Sequence, residues 1–366
     1  MSTQACARGM LSAPTLASNF WAMRETCRRI KPDFAPDFAS RRALAALMLA
    51  AGLVLASMGG ALAQAPSLEA IAAAVVRIKT FINPEGRSVA TLGAEREGSG
   101  IVIGADGLIL TIGYLMLEAH AAEIVTNDAR TLAAEVVGYD HETGFGLLKA
   151  QTALNLRPIP FGKSQELKEQ EPVLVASFGG PDMVGPAFVV AKREFAGSWE
   201  YLLEEAIFTA PPHPVWSGAA LINREGKLVG VGSLIVGDAA GGTPGNMFVP
   251  IDRLPPIMAD LLSEGRVQGP ARPWLGLTTE EAGGKLTIAR VAPGGPAEKA
   301  GVQKGDVVVG VGGHAASRLA DFYRQVWSLG AAGTMIPLDV LQNGEKRRFE
   351  LKSIDRMDHL RFKSTF

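Results

Sequence analysis

The sequence predicts a mainly β protein in two folded parts, a strand-rich domain followed by a small α+β domain. Three observations carry that expectation. Short β-type runs separated by turn signals fill most of residues 75–250. A helical pattern at 254–262 then breaks the series, and beyond it strand runs mix with one further helical stretch. At 366 residues the chain is also long enough for two ordinary domains, each with its own core.

The strand runs fall at 75–81 and 99–103, and Asp106-Gly107 then turns the chain into Leu108-Ile109-Leu110-Thr111, a hairpin signature. Further runs are 133–138, 172–177, 187–191, 219–222 and 228–235, with Asn223-Arg224-Glu225-Gly226 as the turn between the last two. Many short strands at close spacing argue for an all-β sandwich or barrel. Glu264-Gly265-Arg266-Val267-Gln268-Gly269-Pro270 reads as linker. Strands are expected beyond it at 286–291, 306–311, 336–341 and 347–351, and a helix at 319–329.

Residues 43–63 carry no charge, follow Arg41-Arg42 and end in Ala61-Leu62-Ala63 before Gln64, the pattern of a cleaved secretory signal. An uncleaved inner-membrane anchor is the alternative, since about 20 apolar residues can span a bilayer. Ser40-Arg41-Arg42 loosely resembles a twin-arginine signal. The forty residues upstream are long for the start of a signal. Translation from Met23 and a disordered cytoplasmic tail are both consistent with them.

The two cysteines, Cys6 and Cys27, precede the cleavage point. A mature chain from Gln64 therefore has no disulfide framework and no cysteine-ligated metal, and neither a metal nor a cofactor is expected. Across the chain 36 Lys+Arg meet 37 Asp+Glu; the first 63 residues hold 7 and 3, leaving 29 against 34, a net of −5. That balance argues against a nucleic-acid partner.

Four segments resemble, in order and spacing, the HtrA/Deg family of trypsin-like serine proteases. Gly98-Ser99-Gly100-Ile101-Val102-Ile103 with Asp106-Gly107-Leu108-Ile109-Leu110-Thr111 is similar to the family's opening pattern. Val137-Gly138-Tyr139-Asp140 through Leu147-Leu148-Lys149 is similar to its second. Ser217-Gly218 with Leu221 matches the core of G-N-S-G-G-P-L, and Asn246-Met247-Phe248-Val249-Pro250-Ile251 the F-A-I-P-I close.

Downstream, Pro273-Trp274-Leu275-Gly276-Leu277 resembles the carboxylate-binding loop of a PDZ domain. Residues 292–301, followed by Lys304-Gly305-Asp306-Val307-Val308, resemble a second PDZ signature. The implied fold is a trypsin-like double β-barrel followed by a PDZ domain. The expected organisation is a leader with signal peptide at 1–63, the protease-fold domain at 64–262, a linker at 263–271, the PDZ domain at 272–356 and a tail at 357–366.

The resemblance implies a triad, and the residues depart from it. A serine protease needs a serine oxygen, an imidazole that takes its proton and a carboxylate that orients the imidazole. The family histidine falls on Tyr114 and the family aspartate on Gly144, so Ser217 alone survives, as a remnant nucleophile. Tyrosine has a reference pKa of about 10 and is a neutral phenol at pH 7. Losing triad members leaves about 10³–10⁴-fold acceleration over water. Val215 also replaces the glycine expected two residues before the serine, where an oxyanion donor must point inward. Tyr114 and Trp216 are expected to fill the space of the missing groups. His120, His141 and His213 are expected as solvated loop histidines.

In the PDZ domain the resemblance implies strand addition. A peptide C-terminus would lie beside Leu277-Thr278, its carboxylate held by the N–H groups of Leu275, Gly276 and Leu277, with a side chain entering a pocket against the 319–329 helix. The expected function is that of an exported, proteolytically inactive HtrA-like protein binding peptide C-termini or unfolded proteins, in envelope quality control or as an adaptor. It would be periplasmic or secreted, and homo- or hetero-oligomers with relatives are the assemblies the resemblance implies. A serine endopeptidase acting through Ser217 with a displaced base is one alternative. A structural assembly protein with a closed PDZ groove is the other.

Overall fold

Twelve strands close into two antiparallel barrels. The computed structural model describes residues 66–362; the expected leader with its expected cleavage near Ala63, and both cysteines, lie outside the described residues. The first six strands are β1 (Val75–Ile82), β2 (Glu95–Val102), β3 (Leu108–Ile112), β4 (Ala119–Val125), β5 (Thr131–Tyr139) and β6 (Phe145–Ala150). They close in the order β1-β2-β3-β6-β5-β4, with β1 paired to both β2 and β4. The second six are β7 (Pro172–Ala176), β8 (Val184–Gly197), β9 (Tyr201–Ala210), β10 (Ala220–Ile222), β11 (Leu228–Ala240) and β12 (Thr243–Pro250). Their order is β10-β11-β12-β9-β8-β7, and β10 pairs with β7 to close the ring. Closure leaves neither sheet an unpaired edge.

The interior follows from the strand period of two. Along β1 burial alternates, with Ile78 and Ile82 inside and Arg77 and Lys79 outward. β3 is buried on both faces, because one side packs into its own barrel and the other against its neighbour. One apolar cluster accordingly runs from Ile78, Leu110 and Phe145 of the first barrel to Val231, Met247 and Val249 of the second.

Short helices flank the barrels. Helix α1 (Leu68–Ala73) starts at Ser67, whose hydroxyl accepts the Ala70 N–H at 3.2 Å. A one-turn helix, α2, spans Val89–Leu92. Helix α3 (Pro255–Glu264) opens on proline and stops at Gly265, whose φ of +69° is left-handed.

The remaining chain folds as a sheet ordered β13 (Leu277–Ala282), β14 (Lys285–Val291), β15 (Val307–Val311), β17 (Met335–Gln342), β18 (Glu345–Lys352), with β16 (His314–Ala315) paired to β15. Helices α4 (Pro296–Ala300), α5 (Leu319–Ser328) and α6 (Arg356–His359) accompany it. On α5 the buried residues are Leu319, Ala320, Phe322, Tyr323 and Val326, a stripe that packs on Leu275, Leu277, Ile288 and Leu338. Leu202, from β9 of the second barrel, belongs to this same cluster. None of the helices among the described residues is long and apolar enough to cross a membrane.

The strand runs predicted from sequence are present, but β4, β6, β9, β12, β13 and β16 are additional, and β8 is far longer than its 187–191 core. β4 is alanine-rich and β9 contains Glu204-Glu205, so local propensity is weak in both. Cross-strand pairing to β1 and β8 supplies what propensity lacks.

Candidate functional site

Ser217 lies on the loop between β9 and β10, and glycines let β2 come close to it. Its carbonyl accepts the Ser99 N–H at 2.8 Å. A Cβ on Gly98 would stand 3.0 Å from the Ser217 Oγ, and one on Gly218 (φ +72°) would stand 2.0 Å from the Ser99 carbonyl. The Gly-Ser-Gly signature is thus a close-approach surface for the serine loop.

Tyr114 and Gly144 meet the same place from β3 and from the turn before β6. Tyr114 sits on a single 3-10 turn, Gly113–Leu115. The Gly113 N–H donates to the Gly144 carbonyl at 2.6 Å, which ties the two family positions together. The Tyr114 Oη lies 2.8 Å from the Ser217 Oγ and 3.0 Å from the Ser233 carbonyl oxygen. A phenol has one proton, and a carbonyl can only accept. Both contacts are satisfied together when Tyr114 donates to Ser233 and accepts from Ser217. Burial pushes the phenol above its ordinary pKa, against the opposing effect of its hydrogen bonds. It therefore stays neutral and is no base for the serine.

Gly144 has φ +79° and offers no carboxylate. Its side is covered by Tyr201, whose hydroxyl donates to the Thr143 carbonyl at 2.7 Å and lies 3.4 Å from where a Cβ at 144 would be. The oxyanion loop is also turned in on itself. The Val215 N–H donates to His213 Nδ1 at 3.2 Å, and His213 N–H donates to the Asn246 side chain at 2.6 Å. Burial lowers the His213 pKa, so its ring is neutral at pH 7 and able to accept. Among the described residues, the hydrogen-bond partner of the Ser217 Oγ is Tyr114 alone. Trp216 is half-buried and its carbonyl accepts the Ala219 N–H.

His120 is exposed on β4. His141 departs from the expected solvated loop histidine. It is half-buried among Glu142, Glu200, Arg272 and Trp274, and burial, aided by the nearby Arg356, pushes its pKa down to about 4.

The PDZ loop is formed as expected, and it holds a carboxylate. Gly276 has φ +81°, the left-handed turn that aims three successive N–H groups at one point. That point is occupied by Glu200, from the tip between β8 and β9. The Glu200 Oε2 accepts from Leu275 at 2.9 Å, and Oε1 accepts from Gly276 and Leu277, each at 2.8 Å. Glu200 is 7 % exposed, with φ +60°. Burial pushes its pKa up to about 7, outweighing the three N–H donors that favour the charged form.

The tip also pairs with the sheet edge. The Thr279 N–H donates to the Ser198 carbonyl at 2.8 Å. On the other wall of the groove, the Tyr323 hydroxyl donates to the Gly197 carbonyl at 2.7 Å and accepts the Glu200 N–H at 3.1 Å. Neither Glu200 nor Tyr323 was marked by any motif. Tyr323 sits on the expected α5 helix, but nothing in its sequence points to β9.

Two family profiles match the chain, the trypsin-like peptidase domain over residues 98–231 and the PDZ domain over residues 273–352. The chain is 30 % identical over 275 residues to a "Probable periplasmic serine endoprotease DegP-like" of Pseudomonas putida, covering 70 % of this chain and 56 % of that protein. It is 31 % identical over 237 residues to a protein of the same name in Hahella chejuensis, covering 60 % and 49 %. The chain thus spans about half the length of the curated relatives it matches. Among solved structures it is similar to "HtrA-type protease AlgW with decapeptide", at 21 % identity and a TM-score of 0.47, covering 81 % of this chain and 99 % of that one. Two barrels with a serine loop at their junction, a PDZ domain after them in the chain and the DegP-like curated relatives together place the chain in the HtrA/Deg family.

Proposed function

We propose that this chain is an exported HtrA-like protein that holds polypeptide rather than cutting it. Its trypsin-like domain is proteolytically inactive, and its PDZ domain binds peptide C-termini or unfolded proteins, in envelope quality control or as an adaptor. One observation carries the reading: a neutral phenol, 2.8 Å from the Ser217 Oγ, stands where an imidazole base is required. A serine hydroxyl without a base is a weak nucleophile. The Val215 N–H spent on His213 and the absence of a carboxylate at Gly144 support the same conclusion.

A periplasmic location belongs to this proposal, as do cleavage near Ala63 and assembly with itself or with HtrA-like relatives. The endoprotease activity named for the relatives is not carried over. The test uses residues 64–366, treated with a fluorophosphonate probe and assayed on an unfolded protein beside a Ser217→Ala control. Equal, background labelling and no turnover are expected. Ser217-dependent labelling with turnover would overturn the reading in favour of an endopeptidase with a displaced base.

A second reading, a structural assembly protein with a closed PDZ groove, is favoured by the Glu200 carboxylate in the PDZ loop. Binding of free peptide C-termini separates it from the first.

A further inference from the structure

We propose that Ser198-Trp199-Glu200 is an internal, displaceable ligand of the PDZ groove, so that an incoming peptide C-terminus competes with Glu200 for the N–H groups of Leu275, Gly276 and Leu277. This rests on the peptide-binding reading above and specifies how that binding is controlled.

The geometry is that of strand addition. β13 is the terminal strand of its sheet, with one edge free of any strand of its own sheet. In an antiparallel ladder alternate residues face the same neighbour, so the N–H groups of 277 and 279 point to one added strand. A bound peptide would place its terminal carboxylate at 275–277 and the carbonyl two residues earlier at Thr279. The tip does both. The Glu200 side chain supplies the carboxylate, and Ser198, two residues earlier, supplies the carbonyl accepted by Thr279. The difference from a true C-terminus is that the carboxylate is a side chain. The Glu200 main chain can therefore continue into β9, and its N–H goes to Tyr323 on α5.

The tip is clamped from its flanks as well. Arg324 pairs with Glu194 of β8 and Glu204 of β9, and Arg318 pairs with Glu194 at 2.9 Å. The cavity beside Glu200 measures about 10 Å³, room for one water at most. A peptide carboxylate enters only when Glu200 leaves.

Withdrawal would not be silent in the barrels. Tyr201 follows Glu200 directly, and its hydroxyl holds the Thr143 carbonyl beside Gly144. The groove and the remnant triad thus share two adjacent residues.

The experiment compares residues 64–366 as wild type, Glu200→Gln and Glu200→Gly. Glutamine keeps the side-chain shape but turns an N–H₂ toward one of the donors. Glycine suits the left-handed φ and removes the side chain. Near-UV circular dichroism checks folding, and the isosteric variant carries the test if the glycine variant is perturbed. Hydrogen exchange of the 275–277 amides is read first, without peptide. Exchange at least about tenfold faster in the variants is expected from the loss of this protection. Fluorescent decapeptides ending in Val, Leu or Phe, with free or amidated carboxyl ends, are then titrated. Free-carboxyl peptides are expected to bind the variants at least about tenfold more tightly than wild type, with amidated ones not binding. Unchanged amide exchange, or equal affinity for wild type and variants, would overturn the proposal. Faster exchange with no peptide bound by any form would uphold self-occupancy and overturn the peptide-binding function.

Discussion

The Tyr114 oxygen stands 2.8 Å from the Ser217 Oγ, with the Ser233 carbonyl 3.0 Å away on its other side. The carbonyl claims the phenolic proton, so the serine faces a lone pair that is not basic at neutral pH. Restoring an imidazole there leaves two defects in place, at Gly144 and at Val215. The Tyr114→His variant is therefore expected to remain at background in fluorophosphonate labelling. Labelling of this single variant that disappears with Ser217→Ala would show that the base alone had been missing.

Replacing Gly144 by aspartate is expected to destabilise the protein rather than help it. The position has φ +79°, and the new Cβ would stand 3.4 Å from the Tyr201 hydroxyl. A non-glycine residue in that conformation costs about 1–3 kcal/mol. A urea midpoint lowered by this amount at unchanged slope is the measurement.

Glu118 is fully buried and gathers donors from two remote segments, 87–88 and 361. It accepts the N–H groups of Arg87 at 3.0 Å, Ser88 at 2.7 Å and Arg361 at 2.6 Å, and the Ser88 hydroxyl at 2.5 Å. Burial raises its pKa, but the four hydrogen bonds together bring it below the ordinary carboxyl value. Stability from this group is present above the unfolded pKa and is lost as pH falls through the lowered one. Glu118→Ala is expected to cost about 3 kcal/mol, since it strands buried donors. In Glu118→Gln the acid limb of the stability–pH curve should flatten. An unchanged acid limb would remove Glu118 from the account.

Glu200 titrates in the opposite sense. Its pKa in the closed groove is raised to about 7, so closure is fully favoured below the ordinary carboxyl pKa and weakens as pH rises through about 7. Tyr323 and Arg356 act on this carboxylate, and His141, Glu142 and Arg272 line the same cavity. Across that range the closed form is expected to lose up to about 3 kcal/mol. Amide exchange at 275–277 should accelerate between about pH 5 and pH 8 in wild type and stay level, after correction for intrinsic exchange, in Glu200→Gln. Parallel profiles in the two proteins would exclude Glu200 as the titrating group.

The Arg324 clamp is expected to add little to global stability. Its partners are half-exposed, and such pairs contribute about 0–1 kcal/mol. Arg324→Ala should nevertheless speed exchange at 275–277, because the clamp acts on the tip that fills the groove. Identical exchange in the two proteins would place the clamp outside the closure.

Glycines and apolar alternation are local signals, and they are why so much of the fold was legible. Gly98, Gly218 and Gly276 mark close approaches or left-handed turns, and each does so in the structure. The departures at Tyr114, Gly144 and Val215 were legible for the same reason, since a missing imidazole or carboxylate is a matter of residue identity. His141 was read as solvated because its burial arises from Trp274 and Glu200, both remote along the chain.

Read alone, the chain specifies a strand-rich sandwich or barrel followed by a small α+β domain, and the resemblance of its motifs implies the double barrel, the PDZ domain, the lone serine and three N–H groups poised for a carboxylate. It does so because periodicity, turn chemistry and residue type are properties of short segments. Which carboxylate those N–H groups hold was decided by tertiary structure. Glu200 lies 75 residues before Leu275, and only the long β8–β9 hairpin carries it there. The proton arrangement at Ser217 is tertiary in the same way, because Ser233 and Tyr114 come together only when β11 and β3 pack at the junction of the barrels. Distance along the chain conceals such pairings; folding brings them within hydrogen-bond reach, where a buried carboxylate or phenol must find a partner.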